Sequence, residues 1–302
     1  MDVNIYVYYI ILGIVLPIVA LIYDGIERKL TARLQGRVGP PITQSWLDFI
    51  KLLTKKTKLP EDTNMLMLFT GLVFIFAGSF VPLIMVFMRQ GDLILLMYLM
   101  VGGTLGIILT GMAFRSPYSR VGVSREMQMA FVYEISFIMA IIMTITITGY
   151  RTLDGYMVNV MPILRWPLLI IPLILFFLII PAKVGVVPMD IAEAESELAE
   201  GPFVELGGRY LAIAKISKSM RMLAVMQLVT LLYFLPSNIP IQLYWILSLI
   251  IDGILMFFTI TVVRNSVSRI KIDQAVKFYG TVPLAIGVIG LVIVYVLRGW
   301  GM

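Results

Sequence analysis

Cysteine and histidine are both absent from these 302 residues. Zinc, iron–sulfur and haem sites are built mainly from those two side chains, so this chain alone is expected to hold none of them. Thiol nucleophiles and imidazole acid–base catalysis are excluded by the same absence. Redox chemistry that involves this protein must then occur on a partner, and no catalytic residue is expected in the chain. Charge is scarce as well: Asp, Glu, Lys and Arg make up 14% of the residues, against 60% hydrophobic ones. The formal charge of +6 does not point to nucleic acid, because the basic residues are spread over the ends of apolar runs. No repeat, low-complexity stretch or linker interrupts the sequence, which reads as one transmembrane domain over 1–302.

What fills the chain is a series of apolar runs of about 20 residues, the length that crosses a bilayer. They predict an all-α integral membrane protein with about eight transmembrane helices, near 4–23, 65–88, 93–114, 127–149, 167–188, 207–235, 241–263 and 278–297. The first run lacks a basic leading segment and a small-residue cleavage site, so it reads as a retained span. Lys and Arg concentrate in 24–64, 115–126, 183–209 and 264–277, while the other side carries Arg89, Arg151, Arg165 and Arg298. That bias predicts a multi-pass protein of the cell membrane with large charged cytoplasmic loops and both termini outside. Thr43–Thr54 mixes Trp46, Leu47, Phe49, Ile50, Leu52 and Leu53 with polar residues, the pattern of a short amphipathic helix at an interface. Gly102, Gly103, Gly106 and Gly111 predict close helix packing, with no chemistry attached.

Acidic residues are few and clustered. Asp190, Glu193, Glu195, Glu197, Glu200 and Glu205 are six of only 18. On a helix between Pro188 and Gly201, four of them (Asp190, Glu193, Glu197 and Glu200) would share one face and repel, so they would need water, cations or protons. Lys183, Arg209, Lys215, Lys218 and Arg221 are close enough in sequence to supply cations. Two readings stand: a solvated loop, or the mouth of a proton path whose carboxylates titrate together. Glu134 lies within an apolar run, roughly 12 Å of helix rise beyond Glu126. An acid at that depth costs on the order of 3 kcal/mol, so it should face the bundle interior beside a cation or carry a proton. Asp252 meets the same argument. For both, a purely structural hydrogen bond is the plainer alternative. Lys215, Lys218 and Arg221 recur every third residue; snorkelling explains Lys215, whereas the deeper Arg221 calls for a carboxylate.

Four stretches carry a family resemblance. The first loop reads Glu27-Arg28-Lys29-Leu30-Thr31-Ala32-Arg33, then Arg37-Val38-Gly39-Pro40-Pro41, then Asp48-Phe49-Ile50-Lys51-Leu52. The second holds Ser116-Pro117-Tyr118 and Val121-Gly122-Val123-Ser124-Arg125-Glu126. The third is Pro188-Met189-Asp190-Ile191-Ala192-Glu193-Ala194-Glu195-Ser196-Glu197-Leu198. The last holds Arg264-Asn265-Ser266 and Arg269-Ile270-Lys271-Ile272-Asp273. Taken in order, these closely resemble the quinone-site membrane subunit of respiratory complex I (subunit 1, or H) and its counterparts in energy-converting nickel–iron hydrogenases. Pro41, where the complex I subunit usually has Asn, and Ala199-Glu200-Gly201-Pro202 look like the hydrogenase branch, to which an archaeal sulfane sulfur reductase is related. Met189 stands where the family usually has Phe, and Glu205-Leu206-Gly207-Gly208 where it usually has Glu-Tyr-Ser-Gly.

The resemblance implies a membrane-embedded subunit that anchors a cytoplasmic redox arm and couples it to proton or sodium translocation. Its partners would be a nickel–iron hydrogenase-like large subunit, iron–sulfur subunits and antiporter-like membrane subunits, with the iron–sulfur clusters and any nickel–iron site on those partners. It assigns Glu134, Asp190, Glu193, Glu195, Glu197, Glu200 and Glu205 to a carboxylate-lined path, to which we add Asp252 within its span and the cations Lys215 and Arg221. Arg28, Arg37, Arg115 and Arg125, with Glu126, would lie at the redox-arm interface. Two alternatives remain: a subunit that binds a quinone or phenazine, and a passive membrane anchor.

Overall fold

Local chemistry sets where the apolar runs begin and end as helices. The computed structural model describes residues 3–156, 161–236 and 238–299. In chain order the helices are α1 (Val3–Leu34), α2 (Gln44–Thr54), α3 (Met65–Met88), α4 (Leu93–Met112), α5 (Pro117–Thr148), α6 (Pro162–Arg165), α7 (Ile170–Val184), α8 (Glu195–Leu198), α9 (Gly208–Val229), α10 (Ile241–Met256), α11 (Val263–Ser266) and α12 (Ile272–Gly299). Asn64 caps α3 by accepting the Met67 N–H at 3.2 Å, and Asp92 caps α4 by accepting the Ile94 N–H at 2.7 Å. Pro117 takes the first turn of α5, where its missing N–H costs nothing. Gly149 and Gly185 end α5 and α7 in the left-handed region. α9 continues through a π-helical turn at Thr230–Phe234, and α10 passes through a second one at Phe257–Val262 into α11.

Seven of the described helices are long and apolar enough to cross a membrane. Their outer faces carry Ile10, Ile14, Leu66, Val73, Phe131, Ile289 and Tyr295 in exposed positions, as a lipid-facing surface requires. The span expected at 207–235 falls short on composition, not on length. Its helix, α9, carries Arg209, Lys215, Lys218 and Arg221, yet every residue from Ser219 to Tyr233 is buried. It runs through the middle of the bundle, against α1, α2, α3, α7 and α10.

Three expected span limits were too short, one of them at α12, which starts at Ile272 and not near 278. α1 runs on to Leu34, and α5 starts at Pro117. Charged residues do not stop a helix when each finds a partner, and Asp24, Arg28 and Arg125 all do. The amphipathic segment is α2, whose Leu47, Ile50 and Leu53 point outward while Ser45 is buried. α3 and α4 approach backbone to backbone: a Cβ on Gly78 would stand 2.4 Å from the Gly103 nitrogen. Gly111 packs on Val123 and Pro202 instead.

The stretch between Pro188 and Gly201 is not a continuous helix. Only the single turn α8 and a 3-10 turn at Gly201–Phe203 are regular there, and Ala199, Glu200 and Gly201 all have positive φ. Like charges at helical spacing repel, whereas an irregular path lets each acid reach a different cation. The segment is fixed at its far end by Phe203 and Leu206, which pack with Leu68, Leu72 and Phe114. Gly201 passes so close to Ala192 that a Cβ would lie 1.9 Å from its carbonyl oxygen.

Candidate functional site

The charged residues gather at one end of the bundle around a cavity of about 650 Å³. α1 contributes Asp24, Glu27 and Arg28 to its wall, and α2 contributes Asp48 and Lys51. The acidic segment adds Asp190, Glu193 and Glu200; α9 adds Lys215 and Lys218; the last loop region adds Arg264 and Arg269. Six carboxylates therefore face six cations. Arg264 Nη1 donates to both oxygens of the buried Glu27, at 3.1 and 3.2 Å. Arg269 reaches Asp190 at 2.6 Å, Arg28 reaches Asp24 at 2.9 Å, and Lys215 stands 3.5 Å from Glu200. Such a lining holds water and stabilises charge; it is not a dry slot.

From the cavity a line of alternating charges enters the protein. Lys218 donates to Glu193 at the cavity wall. Glu126 comes next, within electrostatic reach of Arg221, Glu193, Lys218 and Glu134. Arg221 is buried and its Nε has no hydrogen-bond partner. Tyr133 donates its hydroxyl proton toward Glu126 at 3.4 Å. The innermost pair is Lys183 with Glu134: Nζ lies 2.6 and 2.5 Å from the two carboxylate oxygens, and the lysine side chain is completely buried. Thr104 donates to the same carboxylate at 2.8 Å. Nζ also stands 4.2 Å from the centre of the Phe137 ring, a cation–π contact.

Glu193 and Glu134 each have a lysine at hydrogen-bond distance, while Glu126 between them lies within electrostatic reach of Arg221 and of both acids. At an effective dielectric of about 20, unit charges about 4 Å apart interact by about 4 kcal/mol.

A second polar group is separate. Asp252 on α10 is fully buried and accepts from Thr230 at 2.6 Å. Among the described residues no hydrogen bond or ion pair joins it to the Glu134 line.

The acids that sequence reasoning grouped together are dispersed by the structure. Asp190, Glu193 and Glu200 line the cavity, and Glu134 lies deep. Glu197 points outward and pairs with Arg125 at 2.7 Å; the guanidinium holds its carboxyl below the usual carboxylate range. Glu205 is half-buried with no ion pair among the described residues. The side chain of Glu195 lies outside the described residues. Of the proposed interface residues, Arg37 and Arg115 are exposed. Arg28 and Arg125 are engaged in ion pairs, and Glu126 joins the inner line. Lys183 and Lys218 enter the sequence reading only as cations near the acidic stretch, and the Glu27–Arg264 pair received no role from the sequence. Lys183 had one available signal: it is a lone cation in the last turn of an apolar helix.

Known proteins resemble this chain along nearly its whole length. The family model described as NADH dehydrogenase matches residues 6–295. Formate hydrogenlyase subunit 4 of Escherichia coli (strain K12) is 28% identical over 88% of this chain and 91% of its own length. NADH-ubiquinone oxidoreductase chain 1 of Chondrus crispus is 28% identical over 88% of this chain and 89% of its own. A chain in the structure of the membrane-bound sulfane sulfur reductase, an archaeal respiratory membrane complex, superposes with a TM-score of 0.85 at 26% identity, covering 97% of this chain and 100% of that one.

Proposed function

The chain belongs to the NADH dehydrogenase subunit 1/H family, and from that premise we propose that it is the anchoring and coupling subunit of a multisubunit energy-converting redox complex. The observation that carries the proposal is the line of charges from the Glu193–Lys218 pair, through Glu126 within electrostatic reach of Arg221, to the buried Glu134–Lys183 pair. A passive anchor has no need of ionised groups at that depth, where each is costly unless compensated. The charged end faces the cytoplasm in this reading. It docks the redox arm, made of a nickel–iron hydrogenase-like large subunit and iron–sulfur subunits that carry the metal cofactors. Antiporter-like subunits lie beside the bundle in the membrane. Charge arriving on the arm changes protonation in the cavity, the middle pair responds, and the inner pair passes the change to its neighbours as a bias on ion movement.

The test is Glu134→Gln in the intact complex. Glutamine still offers an oxygen to Lys183 and Thr104, so the complex should assemble and its redox turnover should persist. Coupled ion transport, measured in sealed vesicles, should fall by about tenfold or more, the change expected for about 1.4 kcal/mol of lost interaction. Undiminished transport would overturn the proposal and favour the passive anchor.

The cavity supports one other reading. At about 650 Å³ it falls within the usual volume range of small-molecule sites, roughly 300–1,000 Å³, and Leu21, Phe49, Leu52 and Met222 add apolar wall. A quinone or phenazine head group would fit that description. Quinone-dependent turnover of the purified complex separates this reading from the first.

A further inference from the structure

Asp252 is the exception among the buried acids. Of the three buried carboxylates among the described residues, Glu27 pairs with Arg264 and Glu134 with Lys183. Asp252 makes no ion pair among the described residues, and Oδ2 has no hydrogen-bond partner. An ionised carboxylate cannot stay so deep without a positive charge. A proton would remove the charge yet still leave Oδ2 without a partner. The neighbourhood repeats the deficit. Gln227, one turn before Thr230 on α9, is fully buried with neither amide atom bonded. The buried Tyr244 hydroxyl lies beside that amide and within electrostatic reach of Asp252, but makes no hydrogen bond of normal geometry.

Several buried polar atoms without protein partners at one helix interface offer ligands to an ion or water. The available oxygens are one carboxylate, one amide carbonyl and one phenol hydroxyl. No histidine or cysteine exists in the chain to favour a transition metal. Other titratable and charged groups face the site from α1 and from the end of α3. Tyr23 of α1, which donates to the Leu249 carbonyl, lies within reach of Asp252, and Arg89 stands 4.5 Å over the Tyr244 ring. Neither supplies a cation to the carboxylate itself. The backbone also departs from regular α-helix here. α9 enters its π-turn at Thr230, and α10 enters its own at Phe257, one turn past Asp252. Such turns occur often at functional sites.

We propose that Asp252, with Gln227 and Tyr244, forms a buried, partly hydrated site for a small monovalent cation between α9 and α10, which takes sodium in exchange for the Asp252 proton. The exchange balances: the carboxylic acid and Na⁺ give the sodium carboxylate and H⁺. This site is distinct from the Glu134 line and does not depend on the function proposed for it.

The experiment is infrared difference spectroscopy on the purified complex, moved from choline chloride to sodium chloride at constant pH. Sodium should remove one protonated-carboxyl band and raise carboxylate bands in step. Asp252→Asn should abolish the signal, and Glu134→Gln should keep it. Gln227→Leu should raise the half-saturating sodium concentration by about tenfold. If Asp252→Asn fails to assemble, wild type and Gln227→Leu still decide the matter. A carboxyl band that persists at saturating sodium overturns the proposal in favour of a proton alone. A sodium signal surviving in Asp252→Asn, or unchanged half-saturation in Gln227→Leu, also overturns it.

Discussion

Lys183 and Glu134 are 49 residues apart in sequence and in contact in space. Removing one partner of a buried ion pair leaves an uncompensated charge, a loss of about 3–5 kcal/mol. Lys183→Met should therefore destabilise the chain by up to about that amount, because it strips the Glu134 carboxyl of its counter-charge and leaves only Thr104 as donor. Adding Glu134→Gln to that variant should recover most of the loss, since the stranded charge disappears. Thermal unfolding of the two single variants and the double variant measures this directly. A double variant no more stable than Lys183→Met would show that the lysine acts through packing alone. The sequence made Glu134 conspicuous, since an acid stands out in an apolar run. It did not disclose the partner, because which cation meets which acid is decided by how α5 and α7 pack.

The transmembrane elements were readable from hydrophobic run length, and α2 from its amphipathic spacing. The segment from Val186 to Gly207 was not. Helical spacing of Asp190, Glu193, Glu197 and Glu200 suggested one acidic face, but the path is set by cations elsewhere in the chain: Arg125 of α5, Lys215 and Lys218 of α9, and Arg269. Arg125 acts as a pin, donating to Glu197 and, at 3.3 Å, to the Ile191 carbonyl. The Glu197 carboxyl titrates below its ordinary value in the folded chain. Its contact with Arg125 is therefore intact above the ordinary glutamate range and is lost as pH falls through the depressed value. Hydrogen exchange across residues 189–199 should rise on acidification over that window. Arg125→Ala should show the faster exchange already at neutral pH, with little further change in acid. Equal acid sensitivity in both would remove Arg125 from this role.

At the scale of the molecule, every predicted cytoplasmic loop comes to the same end of the bundle, where the cavity lies. Because the chain has no native thiol, single cysteines report sidedness without background. In intact cells a membrane-impermeant maleimide should label Asp154→Cys, at the opposite end, and leave Arg37→Cys and Arg115→Cys untouched until the membrane is broken. Labelling of Arg37→Cys from outside would invert the proposed orientation. The central position of α9 also bears on how the protein is made. Lysine or arginine at the middle of an inserting helix costs about 2.5–3.5 kcal/mol, and α9 carries Lys218 and Arg221 well inside its length. Alone, it would insert less readily than its neighbours. The carboxylates Glu126 and Glu134 arrive earlier, on α5, so the order of synthesis places acids in the membrane before the bases that need them. Biogenesis of this subunit thus has a direction, with α9 entering lipid as the guest of helices already there.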